Sequence, residues 1–208
     1  MEIDLRPLWV PLIPTPYGDN ALCLELCNAF PKGPADYDAL IEWSIESRAI
    51  MPETRKPLLS RSSASPKQTA AALRKAAQIR HALFRIFTAS ATQEKPAEED
   101  LRLLEKCLAQ AIQHFRFFPT NADQLWSWDN ADQDLEAPLW PCLLSAAELL
   151  TSPLGSRVRE CDSETCEWLF LDLSHGRTRR WCDMQTCGNR AKAKRYHTRK
   201  TAGAGHDD

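Results

Sequence analysis

Half of the eight cysteines in this chain crowd into one short window, with the spacing Cys161-x4-Cys166, fifteen residues, Cys182-x4-Cys187. Each pair closes a tight knuckle, and the segment between them brings the knuckles together, which is the pattern of a four-thiolate zinc site. Four protein ligands complete a tetrahedron and leave no open position, so the ion would hold shape rather than do chemistry. Forty-odd residues bury little core alone, and zinc binding, on the order of 10 kcal/mol in such modules, becomes the folding energy. Removing zinc should therefore unfold this end only. Trp168–Leu171 fits one strand of an intervening hairpin, Thr178–Trp181 the returning one, and Ser174-His175-Gly176 the turn. Buried filler or redox roles explain the spacing less well. Cys23 and Cys27 lack a second pair and, with Cys107 and Cys142, read as core; His175 and His197 are not needed as ligands.

The remaining chain reads as helical. Trp9–Asp19 is proline-rich and extended. Leu22, Leu24 and Leu26 alternate while Leu22, Leu26 and Phe30 also fit helical spacing, so that segment stays open between strand and helix. Asp36–Ile50 predicts a helix capped by Asp36. Pro52–Pro66 predicts a polar loop closing in a Ser65-x-x-Gln68 capping box with Pro66 at the first helical position. A long helix follows, with Leu73, Ala76, Ala77, Leu83, Phe84 and Phe87 as its apolar stripe. Acidic Glu98-Glu99-Asp100 opens the next, with the stripe Leu101, Leu104, Leu108, Ile112 and Phe115, and the two should pair antiparallel. Phe117, Phe118, Trp126 and Trp128 around Thr120–Asp123 predict a short β-hairpin. A last helix spans about Pro138–Thr151, before a boundary at Ser152–Gly155. The fold class is thus mostly α with a small β-hairpin: a helical domain over 1–153, a small four-cysteine zinc finger of two knuckles, hairpin and C-terminal helix over 156–200, and a disordered tail over 201–208.

The net charge of −2 hides a division. Ser174–Lys200 holds nine Lys or Arg against the single acid Asp183, on a chain whose remainder is acidic, as expected if only that end meets a polyanion. Gly188 permits a sharp turn, and Asn189–Lys200 contains good helix formers without Pro or Gly. On the helical period Arg190, Lys194 and His197 share one face, and Lys192, Arg195 and Arg199 another. The candidate nucleic-acid contacts are Arg177, Arg179, Arg180, Asn189, Arg190, Lys192, Lys194, Arg195, Arg199 and Lys200. A four-thiolate zinc site carries −2, so Arg179, Arg180 or Arg190 could instead balance the sulfurs. Asn189 is suited either to reading adenine or to bracing the knuckle. Trp181 reads as finger core before a stacking platform.

Arg179-Arg180-Trp181-Cys182-Asp183-Met184 followed by Cys187-Gly188-Asn189-Arg190-Ala191-Lys192-Ala193 resembles the CGNR zinc finger family, and Arg159-x-Cys161-x4-Cys166-x-Trp168-Leu169-Phe170-Leu171-Asp172 resembles its first knuckle. The resemblance implies that the preceding region is an ABATE domain of stress-induced transcription regulators. More loosely, Leu22–Asn28, Ile79–Phe84 and Leu143–Thr151 are similar to that domain, with Glu25 and Ala29 departing from its Leu-Asp-Phe and Asn-Thr pattern.

The expected function is a zinc-dependent, DNA-binding transcriptional regulator with one structural zinc, the helical domain sensing a small effector or forming a homodimer. Arg80 and His81 are candidate contacts for an anionic effector. A non-enzymatic adaptor docking on an acidic partner and an RNA-binding protein are the alternatives. No Gly-rich phosphate loop, nucleophile elbow or His-Glu zinc-protease motif points to an enzyme, and no catalytic residue is assigned. With no apolar run of about 18 residues and no signal-peptide pattern, the chain is expected to be soluble, cytoplasmic and without a membrane partner.

Overall fold

Seven helices and two short hairpins are visible in the computed structural model, which describes residues 20–117 and 126–203, with side chains to Thr198. The expected lead-in Trp9–Asp19, the turn Thr120–Asp123, Phe118 and residues 204–208 lie outside the described residues. Among the described residues, no helix is long and apolar enough to cross a membrane.

Leu22–Ala29 is a helix, α1, and the spacing left open between strand and helix is settled by burial on nearly every side: Leu22, Cys23, Leu24, Leu26 and Cys27 are sealed from water. α2 (Tyr37–Glu46) starts where expected, with Asp36 Oδ1 accepting from the Ala39 amide at 2.7 Å. The predicted loop after it is a correction. A tight turn at Pro52–Thr54 runs into α3 (Arg55–Ala64), a polar helix held to the body by Leu58. Composition reads as loop here because only two adjacent residues, buried Leu58 and partly buried Leu59, join the core, and they make no stripe at helical spacing.

α3 also alters the next cap. Ser65 donates its amide back to Arg61 O to close α3, and its side chain makes no cap bond to α4 (Pro66–Thr92). Proline does stand at the first position of α4 as expected. Left-handed Gln93 ends α4, and α5 (Glu98–Ile112) returns antiparallel: Arg85 pairs with Asp100, and Lys75 reaches Gln110 at 2.9 Å. The inward face of α5 is rotated from the expected stripe. Asp100, Leu104, Cys107 and Ala111 are buried, whereas Leu101 and Ile112 stand 39% and 43% exposed. Asp100 sits on that buried face and pairs there with Arg85.

The aromatic hairpin forms as predicted, β1 (Phe115–Phe117) against β2 (Trp126–Trp128), with Phe115 opposite Trp128. His114 stacks on Trp140 at 4.0 Å, joining this hairpin to α6 (Trp140–Thr151), which packs on α1 and α5.

β3 (Val158–Glu160) pairs antiparallel with β4 (Leu169–Leu171), Val158 opposite Leu171 and Arg159 opposite Phe170. The alternation of a strand divides β4 between two cores: Leu169 and Leu171 join Val158 in the main core, while Phe170 faces a small cluster with Cys161 and Cys187. The expected partner strand, Thr178–Trp181, is not a strand. Instead the buried Asp172 carboxylate accepts from the Ser174 and Arg179 amides, at 2.9 and 3.1 Å, and bends that segment into a loop. Buried Arg157 fastens the loop by donating from Nη1 to Asp172 O at 3.2 Å.

Candidate metal centre and nucleic-acid surface

Cys161 follows β3 directly, and its amide extends the ladder by donating to Trp168 O at 2.9 Å. A turn closed by Cys166 N to Ser163 O, 2.9 Å, brings Cys166 back beside it. In the second knuckle Asp183 takes the Thr186 amide at 2.7 Å and hydroxyl at 2.8 Å, opening a single wide helical turn, Met184–Gly188, that carries Cys187. Gly188 does not have a positive φ, and an added Cβ would meet only the exposed, flexible Met184 side chain, so the expected sharp glycine turn is not what places Cys187.

All four sulfurs lie within 4.8 Å of one another. Cys166 and Cys182 Sγ are 3.7 Å apart, and Cys182 and Cys187 Sγ 3.8 Å. A sulfur tetrahedron with bonds of about 2.3 Å has edges of about 3.8 Å, so the donor set fits one zinc ion. Burial, reinforced by the Cys166 and Cys161 sulfurs, holds the Cys182 thiol well above the ordinary cysteine range. Four sulfurs this close cannot all ionise unaided, and the zinc dication supplies the charge that lets them do so.

The cations expected to meet nucleic acid divide into clamps and groove residues. Arg179 is a clamp: Nε donates to Trp181 O at 3.0 Å, Nη2 donates to Cys182 O, and its plane covers the Phe170 ring at 4.7 Å. Asn189 heads α7 (Asn189–Gly203) and gives Nδ2 to Gln185 O at 3.0 Å, bracing the second knuckle. Arg177 is exposed in the loop at a left-handed φ of 50°. Arg190, Lys194 and Arg195 line one groove of about 670 Å³ with Arg180, between α7 and the first knuckle. Of the two faces expected for α7, Arg190 and Lys194 come from one and Arg195 from the other, while His197 and Lys192 do not line the groove. Trp181, half-buried, has the Arg180 and Arg195 guanidinium groups 5.3 and 5.7 Å from its ring. Lys192 points to solvent. The side chains of Arg199 and Lys200 lie outside the described residues.

Acids of the first knuckle, which sequence reasoning missed as part of this surface, hold the groove cations. Asp162 pairs with Arg180 at 2.6 Å, Glu164 with Lys194 at 2.6 Å, and Thr165 Oγ1 accepts from Arg190 Nη1 at 2.7 Å. The available signal was their density, since Asp162, Glu164 and Glu167 flank or fill the four-residue gap. Asn28 was missed as well. Its side-chain amide makes paired hydrogen bonds with the backbone of Leu169, Nδ2 to O and N to Oδ1, both 2.9 Å, stitching α1 to β4.

The two effector candidates separate. Arg80 is 5% exposed, gives Nε and Nη2 to Cys27 O, and lines a cavity between body and finger; burial lowers its pKa. His81, half-buried, does not line that cavity.

Compared with known proteins, residues 20–153 match the family model ABATE, "Putative stress-induced transcription regulator", and residues 157–200 match the CGNR zinc finger. No curated protein matches the chain.

Proposed function

The chain belongs to the ABATE family and ends in a CGNR zinc finger, and from that premise we propose that it is a zinc-dependent, DNA-binding transcriptional regulator. The observation that carries this reading is the concentration of Arg180, Arg190, Lys194 and Arg195 around one groove beside a zinc knot, with Lys192 exposed nearby. Zinc holds the second knuckle and hence the start of α7, so the cations are presented at fixed spacing. Contact with phosphates releases counterions, and affinity should fall steeply with salt. Trp181, flanked by two guanidinium groups, gives the groove a flat wall against which a sugar or base edge can rest.

The helical body supplies regulation. Sensing of a small effector is supported by the cavities at its junction with the finger. Pairing with a second copy is supported by exposed Leu101, Ile112 and Phe117.

Sequencing the duplex DNA selected by the zinc-loaded protein, with a salt titration, tests the reading. An enriched motif and a log-log salt slope that shrinks by about one when Lys192 or Arg195 is changed to alanine are expected. No motif, with equal weak binding by Cys182→Ser, would overturn it. Tight, salt-sensitive binding to an acidic protein segment without any DNA preference would select the adaptor reading.

A further inference from the structure

Arg80 lies in α4 with its ring-facing side 4.6 Å from the Phe84 centroid and two of its nitrogens spent on one carbonyl, Nε to Cys27 O at 3.1 Å and Nη2 to the same oxygen at 2.8 Å. Among the described residues, no carboxylate lies at ion-pair distance from it and nothing accepts from Nη1. Nη1 is not one of the sealed polar atoms left without a partner, so it keeps access to water on the cavity side, and an anion there could take the place of that water. With the other nitrogens turned to Cys27, Nη1 is the part of Arg80 left for the cavity of about 340 Å³ that this residue lines.

The body wall of that cavity is Arg80, Cys27, Asn28 and Pro31; the facing wall is the first knuckle, from Glu164 to Trp168. Glu167 acts electrostatically on Arg80 across the space without pairing with it. Trp168 stands 48% exposed beside them. A simple anion in this cavity would meet Arg80 but face Glu167, and a simple cation would meet the reverse. A molecule carrying both charges a few bonds apart satisfies both walls, and the volume suits a small ligand.

We propose that this cavity binds a small zwitterion of the α-amino acid class, its carboxylate on Arg80, its ammonium toward Glu167 and an apolar side group against Trp168. Binding has a route to the basic groove, because the same knuckle is a wall of both cavities. Glu164 holds Lys194 Nζ with both oxygens at 2.6 Å, and Thr165 holds Arg190. A ligand that draws the knuckle toward the body shifts the groups restraining two groove cations. This second step rests on the DNA-binding reading; the ligand site does not.

Isothermal titration calorimetry of the full-length, zinc-loaded protein without DNA tests the site, using the twenty standard amino acids at millimolar concentration with acetate and ethylamine as singly charged controls. Saturable heat from one or more apolar amino acids and none from the controls is expected, with affinity falling about tenfold or more in Arg80→Lys and in Glu167→Gln. Glu167 is exposed, so its variant keeps the test alive where Arg80→Lys fails to fold. No heat from any amino acid, acetate binding as tightly as the amino acids, or undiminished binding by Glu167→Gln would overturn the site. Fluorescence anisotropy on labelled duplex DNA then reads the coupling: a changed affinity at saturating ligand supports it, and an unchanged one removes it. Ligand binding by a protein that binds no DNA at any salt would sink the regulator reading and leave the cavity assignment standing.

Discussion

In the helical body Leu22, Leu24, Leu26, Ile41, Ile79, Leu83, Ile86 and Phe87 are sealed from water, while the finger's own buried cluster comes down to Cys161, Phe170 and Cys187. Each buried leucine or phenylalanine contributes roughly 1.5–3 kcal/mol, so the body can hold its shape by area. The finger cannot, and its order comes from sulfur and zinc. The difference teaches where to draw the energetic border. It does not run at Ser152–Gly155, where the sequence changes character, but along β4, whose leucines stabilise the body and whose phenylalanine packs beside the metal.

The strongest test of this border is metal removal. A chelator, or Cys182→Ser, should cost the finger on the order of 10 kcal/mol of folding free energy and abolish DNA binding. Hydrogen exchange followed by mass spectrometry should then show lost protection from Cys182 to Thr198, retained protection of the β3–β4 amides, and unchanged protection in α1, α4 and α6. Protection surviving in α7 after complete zinc loss would break the comparison.

Leu171→Ala comes next in size. The residue belongs to the finger by sequence but to the body by burial, so urea unfolding should show the body destabilised by about 2–5 kcal/mol. A body midpoint that does not move would place the border back at the linker.

What was legible follows from sequence distance. The sulfur ligands, the Asp36 cap, the length of α4, the aromatic hairpin and α7 rest on neighbours a few residues apart, and spacing shows them. The strand partner of β4 was not legible, because Thr178–Trp181 has the right composition and Asp172 bends it away. Asp100 reads as a solvated helix start, whereas it is buried and paired with Arg85, fifteen residues earlier. Asn28 stands 141 residues from Leu169, with nothing local to mark it.

Asn28→Ala sharpens the border at its seam. It leaves the Leu169 amide without its side-chain partner and its carbonyl with only the longer bond from Asn20, a loss of about 1–3 kcal/mol, read as faster exchange at Leu169 with zinc still bound. Exchange unaltered at Leu169 would mean that packing alone joins the halves.

The smallest effect belongs to the groove. Glu164→Gln frees Lys194 from an exposed pair, so DNA affinity should rise a few-fold at most while the melting temperature stays put. Weaker DNA binding would show that the pair orients Lys194 instead of restraining it.

Because one strand serves two interiors, residues 157–200 are not a transferable cassette. Excised, the segment would carry Val158, Leu169 and Leu171 bare to water on the side opposite the zinc, inviting aggregation. Grafting this finger onto another protein should require either α1 and α4 to travel with it or polar replacements at those three positions.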